Sequence, residues 1–299
     1  MSEIAATLDK DKVQFVQRSQ LSVIWRGLRR SKPGMIGLVL LIVHLFVALA
    51  SPWIIPYSAT EMDGSKVWNL PNSEHLLGND AYGRDILSRV LLGGRIAILV
   101  SFMASAVSIT WGGTLGVLLG LVGGRVDDIV MRVIDALLSV PGLLITMLGV
   151  MTFGSSPLVL IGTMAWGSGL SVSRVSRGAT QAFAARDFIA VARARGDSNI
   201  TIAFRELLPN VRDVLLVELA VRWSWMLLAV GGLSFLGLGI SPPTPDWGLM
   251  VTANRGLMAY APWATLAPVI ALSSLTIGIN LFGDALSKAI GLGRTQEAT

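Results

Sequence analysis

Five runs without a single Asp, Glu, Lys or Arg constrain this chain more than any motif in it: 33–60, 96–124, 136–173, 223–245 and 256–283. Crossing the hydrocarbon core of a bilayer takes roughly 20 apolar residues, so each run can hold a span. The run 136–173 can hold two, with Gly154-Ser155-Ser156-Pro157 as the turn between them. The spacing therefore predicts an all-α membrane protein with six transmembrane helices, near 35–55, 96–122, 130–152, 157–175, 213–238 and 262–285. A closed barrel is the other way to cross, but it needs alternating segments of about 10 residues, and these runs are longer and continuous. Only 14% of the residues are charged, against about 25% in soluble domains.

The net charge of +5 is accounted for by topology, not by nucleic acid. With a cytoplasmic N-terminus, the segments assigned inside (1–34, 123–135, 174–222 and 284–299) hold 19 of the 24 Lys and Arg, and the outside segments (56–95 and 239–261) hold 5. This is the positive-inside bias, and it places both termini in the cytoplasm. Trp53, Tyr57, Trp247, Tyr260 and Trp263 then fall at the outer interface, where aromatic belts form. Ala48-Leu49-Ala50 imitates a cleavage site, but 34 mostly polar residues precede its apolar run, so the first span reads as a retained anchor. There is no cysteine, hence no thiol or disulfide chemistry. His44 and His75 are far apart, so no metal site or cofactor is expected. His44 reads as a neutral side chain facing a neighbouring helix.

The remaining organisation follows from pattern. Residues 1–34 form a leader in which Leu21, Ile24, Trp25 and Leu28 share one helical face beside Arg26, Arg29, Arg30 and Lys32. Such a basic amphipathic helix lies on membrane lipid. Residues 56–95 form an extracytoplasmic loop with an interfacial helix at its end. Residues 96–290 form a five-helix core, and 291–299 a tail. Gly112, Gly116, Gly120 and Gly124 recur every four residues and predict close helix packing. Glu218 and Arg222 are placed to pair at i, i+4. Asp135 is a candidate for helix pairing or for a solute pathway.

The one sizeable polar break in the second half, 174–222, contains DFIAVARARGDSNITIAFRELLPN at 187–210. Asp187 is read as the cap of a short helix, with Phe188, Val191, Ala192 and Arg195 on one face. Gly196 suits the left-handed position that ends a helix. Asp197 and Ser198 can cap a second helix carrying Ile200, Phe204, Leu207 and Leu208, which Pro209 is expected to stop. Two short amphipathic helices joined at a bend predict a ridge that inserts into a partner's groove.

This segment, bounded at 186–210, resembles the EAA loop of ATP-binding-cassette importer permeases, in Ala190-Val191-Ala192, Gly196 and Glu206-Leu207-Leu208-Pro209. Ala190 stands where the family has Glu. Three other segments resemble the C-type subunit of the dipeptide, oligopeptide and nickel branch: HLLGNDAYGRDILSRVLLGGR (75–95), GGRVDDIVMRVIDALLSVPGLL (123–144) and LSFLGLGISPPTPDWGLM (233–250). The ending with Asn280, Gly283, Asp284 and Leu286 matches as well. The resemblance implies a MetI-like type I importer permease fold with cytoplasmic coupling helices, in the bacterial inner membrane. It implies a second homologous permease subunit, two ATP-binding subunits and an extracytoplasmic solute-binding protein as partners.

On this reading Asp187, Phe188, Ala190, Val191, Ala192, Arg195, Gly196, Leu208 and Pro209 couple the chain to the ATPases. Asp80, Arg84, Asp85, Pro243, Asp246 and Trp247 face the binding protein, and helices three and five are candidates to line the pathway. No G-x-x-x-x-G-K-[ST] loop and no nucleophile–base pair is present, so the chain is expected not to be an enzyme. The alternatives are a secondary transporter, which would show inverted repeats or broken helices, and a structural or signalling subunit with a docking loop.

Overall fold

Helices account for the fold in the computed structural model, which describes residues 20–297. α1 (Gln20–Arg30) leads into α2 (Lys32–Ile54), whose start is capped by the Ser31 hydroxyl accepting from Gly34 N–H at 3.2 Å. α3 (Ile86–Val122) follows the loop 56–85, then α4 (Gly124–Leu138), α5 (Gly142–Phe153) and α6 (Pro157–Ala184). α7 (Asp187–Ala194) is short, α8 (Asn199–Phe235) is long, α9 (Trp247–Asn254) is short, and α10 (Pro262–Glu297) is the last described element. Among the described residues five helices, α2, α3, α6, α8 and α10, are long and apolar enough to cross a membrane, and α4 with α5 makes a sixth crossing if taken together.

Three expectations are corrected here. The segment before the second span is not a separate interfacial helix: α3 begins at Ile86, with Ser88 N–H donating to the Asp85 carboxylate at 2.7 Å, and runs 37 residues without interruption. At 1.5 Å per residue it is about 55 Å long. The third span is not one helix over 130–152. α4 and α5 are bent by 74° across Ser139, Val140 and Pro141. Proline lacks a donor and drives the preceding residue out of helical geometry, and Pro141 itself is extended, with ψ 125°. Neither half, about 22 Å and 18 Å long, reaches across a core of about 30 Å alone. Finally, Pro209 stops nothing. Residues 202–207 form a π turn in which Leu208 N–H bonds the carbonyl of Ala203. Pro209 then falls in the first turn after it, where a missing donor does no damage.

Close helix approach holds the bundle together. In lipid there is little hydrophobic force between helices, so small residues and packing carry association. A Cβ on Gly112 would lie 2.2 Å from the Gly169 carbonyl oxygen, one on Gly116 2.3 Å from that of Ser173, and one on Gly120 2.8 Å from Thr180 Cβ. α3 and α6 therefore touch backbone to backbone along three turns. Gly124 takes no part: it has open space around it and φ +64°, and with Gly123 it makes the turn from α3 into α4. At the other edge His44 joins α2 to α10. Its Nδ1 bonds the Leu40 carbonyl at 2.8 Å and its Nε2 the Ser274 hydroxyl at 3.1 Å.

Ion pairs fasten α4 to α6. Arg177 grips the Asp127 carboxylate with two hydrogen bonds of 2.5 Å, Asp127 being buried, and Arg174 stands 3.4 Å from Asp135. Within α8, Arg222 donates to Glu218 at 2.6–2.7 Å. Asp127→Asn keeps the shape but removes the charge that Arg177 holds. Hydrogen bonds to charged groups contribute roughly 1.5–3 kcal/mol, so a fall in melting temperature of the purified protein is expected. Asp135→Asn, at an exposed pair, should change it little.

Candidate functional site: the bend between α7 and α8

The bend is built from local rules. α7 starts at Asp187, and its cap residue is Arg186, without any side-chain hydrogen bond. Asp187 is thus the first helical residue and not the cap, a correction; its charge still lies at the positive end of the helix. The helix ends as expected for a glycine stop. Gly196 has φ +85°, its N–H bonds the Arg193 carbonyl at 3.0 Å, and Asp197 N–H bonds that of Ala192 at 3.2 Å. These two bonds satisfy carbonyls that a helix end leaves free. Ser198 then caps α8, its hydroxyl accepting from Thr201 N–H at 3.2 Å.

Burial shows which way each face points. Ile189, Ala192, Ile202, Ala203 and Leu207 are buried together with Val117 and Leu121 of α3, and Phe188 and Leu208 pack on that cluster. The bend is therefore bolted to one end of α3. Ala192 faces this internal cluster and cannot be a groove contact, and Leu208 and Phe188 are half-buried in it. The four residues read as one outward face are split, because Ile189 supplies the buried side that the periodicity left unassigned. Ala190, Val191, Arg195, Gly196 and Pro209 are exposed, as is Asp187.

Two apolar side chains of the second helix's expected face stand beside them: Ile200 is 67% exposed and Phe204 47%, with Val191 at 56%. Leu207 and Leu208, expected on the same face, do not join them, and the π turn explains why. A regular helix puts Ile200, Phe204, Leu207 and Leu208 on one face, but widening the turn at 202–207 rotates the later pair inward and leaves the earlier pair outward. Arg195 ties the two sides of the bend together, bonding Asp197 at 2.8 Å and Glu206 at 3.3 Å. The Asp197 hydrogen bond raises the guanidinium pKa further above its ordinary value.

The opposite end of the bundle carries the other predicted surface, and five of its six residues are not on it. Asp80, Arg84, Asp85, Asp246 and Trp247 are buried, and only Pro243 is exposed. Each buried side chain organises the loops. Asp85 caps α3 and bonds His75 Nδ1 at 2.9 Å. Asp80 accepts from the backbone of Tyr82 and Arg84 and from Arg84 Nε at 2.8 Å. Trp247 lies across Gly93 and Gly94 and donates to the Val90 carbonyl at 2.9 Å.

Asp246 caps α9 through Leu249 N–H at 3.1 Å, and burial raises its pKa above the ordinary carboxylate value. A raised acid makes the folded state bind more protons than the unfolded one, so its contribution falls as pH rises above about 4. Asp246→Asn keeps an oxygen for the cap and no longer ionises. It should match or exceed the wild-type melting temperature at neutral pH and lose that margin near pH 3.5; a variant less stable at neutral pH would refute this.

Residues 112–292 match the family described as binding-protein-dependent transport system inner membrane component, and residues 19–71 match the N-terminal TM domain of oligopeptide transport permease C. The chain is 32% identical over 282 residues to a dipeptide transport system permease protein, DppC, of Haemophilus influenzae, covering 92% of this chain and 96% of that one. It is 31% identical to the di/tripeptide transport system permease protein DppC of Pseudomonas aeruginosa, over 92% and 93% of the two chains. It is 35% identical over 267 residues to the glutathione transport system permease protein GsiD of Shigella dysenteriae, over 89% and 88%.

Proposed function

We propose that this chain, which belongs to the binding-protein-dependent transport system inner membrane component family, forms half of the membrane pathway of an importer of short peptides, driven by ATP hydrolysed in partner subunits. The substrate class follows from relatives named for dipeptides, di/tripeptides and glutathione. The observation that carries the mechanism is the bend: exposed apolar side chains on a rigid turn that is packed, through Ile189, Ala192 and Leu207, onto the end of α3.

A second permease subunit completes the pathway, one of two ATP-binding subunits docks on the bend, and a solute-binding protein delivers at the opposite end. The bend and both termini lie in the cytoplasm, because the Lys and Arg excess lies in the segments on that side. Nucleotide-driven movement of the docked groove shifts the bend. α3 and α8, which it joins, carry the shift to the far end. This works only if ATP favours one arrangement of the bundle over the other, since equal docking in both states transmits nothing.

Purification of the tagged chain from its native membrane tests the assignment. Two ATP-binding subunits should accompany it, and proteoliposomes should take up a labelled dipeptide only with ATP inside and binding protein outside. Uptake driven by an ion gradient without ATP would replace this reading with a secondary transporter.

A further inference from the structure

At the end of the bundle opposite the bend, a cavity of about 250 Å³ lies between the loop 56–85 and α9. Asp80, Arg84 and Arg89 line it together with Leu249, Ala253 and Asn254 of α9. Arg84 is satisfied by Asp80, with Nε and Nη2 at 2.8 Å and 2.7 Å from Oδ2, and its guanidinium lies 4.5 Å from the Tyr82 ring centre. Arg89 is not. Its Nη1 donates to the Ala59 carbonyl at 2.7 Å, but its buried Nε finds no hydrogen-bond partner among the described residues. That Nε lies 3.6 Å from the same Asp80 oxygen that Arg84 occupies. Asp85 is engaged elsewhere, with His75 and the first turn of α3. Asn254, also in the lining, is 1% exposed, and its Oδ1 finds no hydrogen-bond partner among the described residues.

Two buried guanidiniums thus face one carboxylate, and among the lining residues a buried donor, Arg89 Nε, and a buried acceptor, Asn254 Oδ1, remain unpaired and shielded from water. Buried polar groups without partners are costly and uncommon. A ligand bearing one negative charge would remove the imbalance of charge, and an N–H beside it would satisfy Asn254. Pockets that enclose a whole drug-sized ligand run to roughly 300–1,000 Å³, so this cavity suits an end group and not a whole solute.

We propose that it receives the C-terminal carboxylate of the arriving peptide, with Arg89 as the anion-binding group and Asn254 accepting from the adjoining amide N–H. This rests on the importer reading above and adds to it a carboxylate-selecting site in the permease itself, at the entrance.

The test uses the assembled transporter in lipid nanodiscs without binding protein, with ¹³C-labelled N-acetylglycine as probe, which carries one carboxylate and one amide N–H. Saturable line broadening is expected. Excess unlabelled glycylglycine should reverse it, and N-acetylglycinamide should not. Arg89→Met should weaken probe binding at least tenfold. Because that variant can fail to fold, Ala253→Trp provides the second arm: its side chain is exposed, every charge is retained, and the cavity is filled, so binding should again fall tenfold at an unchanged melting temperature. No saturable broadening in the wild type, undiminished binding in Ala253→Trp, or competition by glycerol phosphate but not by the dipeptide would each overturn the site. ATP-driven dipeptide uptake by the same transporter in proteoliposomes, with binding protein added outside, separates the two readings. Uptake without probe binding rejects this site alone; probe binding without ATP-dependent uptake rejects the importer, and the peptide assignment with it.

Discussion

Val191→Glu together with Ile200→Glu is expected to abolish peptide-stimulated ATP hydrolysis by the reconstituted transporter and to leave the chain folded and inserted. Both side chains are more than half exposed on the bend, and neither contributes to the cluster that fixes it to α3. In a docked complex each would have to bury a carboxylate among apolar contacts. Anchors at interface centres contribute 2 kcal/mol or more each, so the pair should weaken docking by ~4 kcal/mol, about a thousandfold. The measurement is the amount of ATP-binding subunit retained on purification and the ratio of stimulated to basal hydrolysis. Ala192→Glu serves as the contrast. Ala192 is buried, so that variant should fail at folding, with little chain recovered from the membrane. Full stimulation in the exposed double variant would remove the coupling role from the bend.

What could be read in advance, and what could not, divides along physical lines. The absence of charge over long runs marked the crossings because a bilayer penalises charge wherever a helix passes through it. The glycine at 196 and the serine at 198 were legible because backbone termini have fixed needs that few residues meet. Direction was not legible. Periodicity groups Phe188, Val191, Ala192 and Arg195 but does not say which side of α7 the rest of the protein covers, and the π turn before Pro209 breaks the period on which the reading of α8 relied. At the other end, Asp80, Arg84, Asp85 and Asp246 read as surface because charges usually are. Here each is committed to a cap, a turn or an ion pair that shapes a long connection. No property of the isolated residues distinguishes those two uses. Arg89 gains its setting only when the loop 56–85 and α9 are brought together.

Gly116→Leu should prevent recovery of folded chain or lower its melting temperature steeply. A Cβ at Gly116 would stand 2.3 Å from the Ser173 carbonyl oxygen and 2.8 Å from Arg177 N, both backbone atoms of α6 that no rotamer change can move. Relief requires α3 and α6 to separate. Separation would also loosen the contacts at Gly112 and Gly120 and the Ser176 hydroxyl bond to the Gly113 carbonyl, 2.8 Å long. Overpacking costs typically 1–3 kcal/mol and occasionally more. At ~3 kcal/mol, a domain of this size loses about 6–12 °C. Gly162→Leu separates this cause from a general intolerance of leucine, since that glycine lies in α6 with no atom within 4 Å of the added carbon. It should match or exceed the wild type, leucine being the better helix former. Equal melting temperatures for Gly116→Leu and wild type would mean that α3 and α6 are not held at backbone contact. The bend would then lose the rigid lever through which α3 is proposed to carry its motion across the membrane.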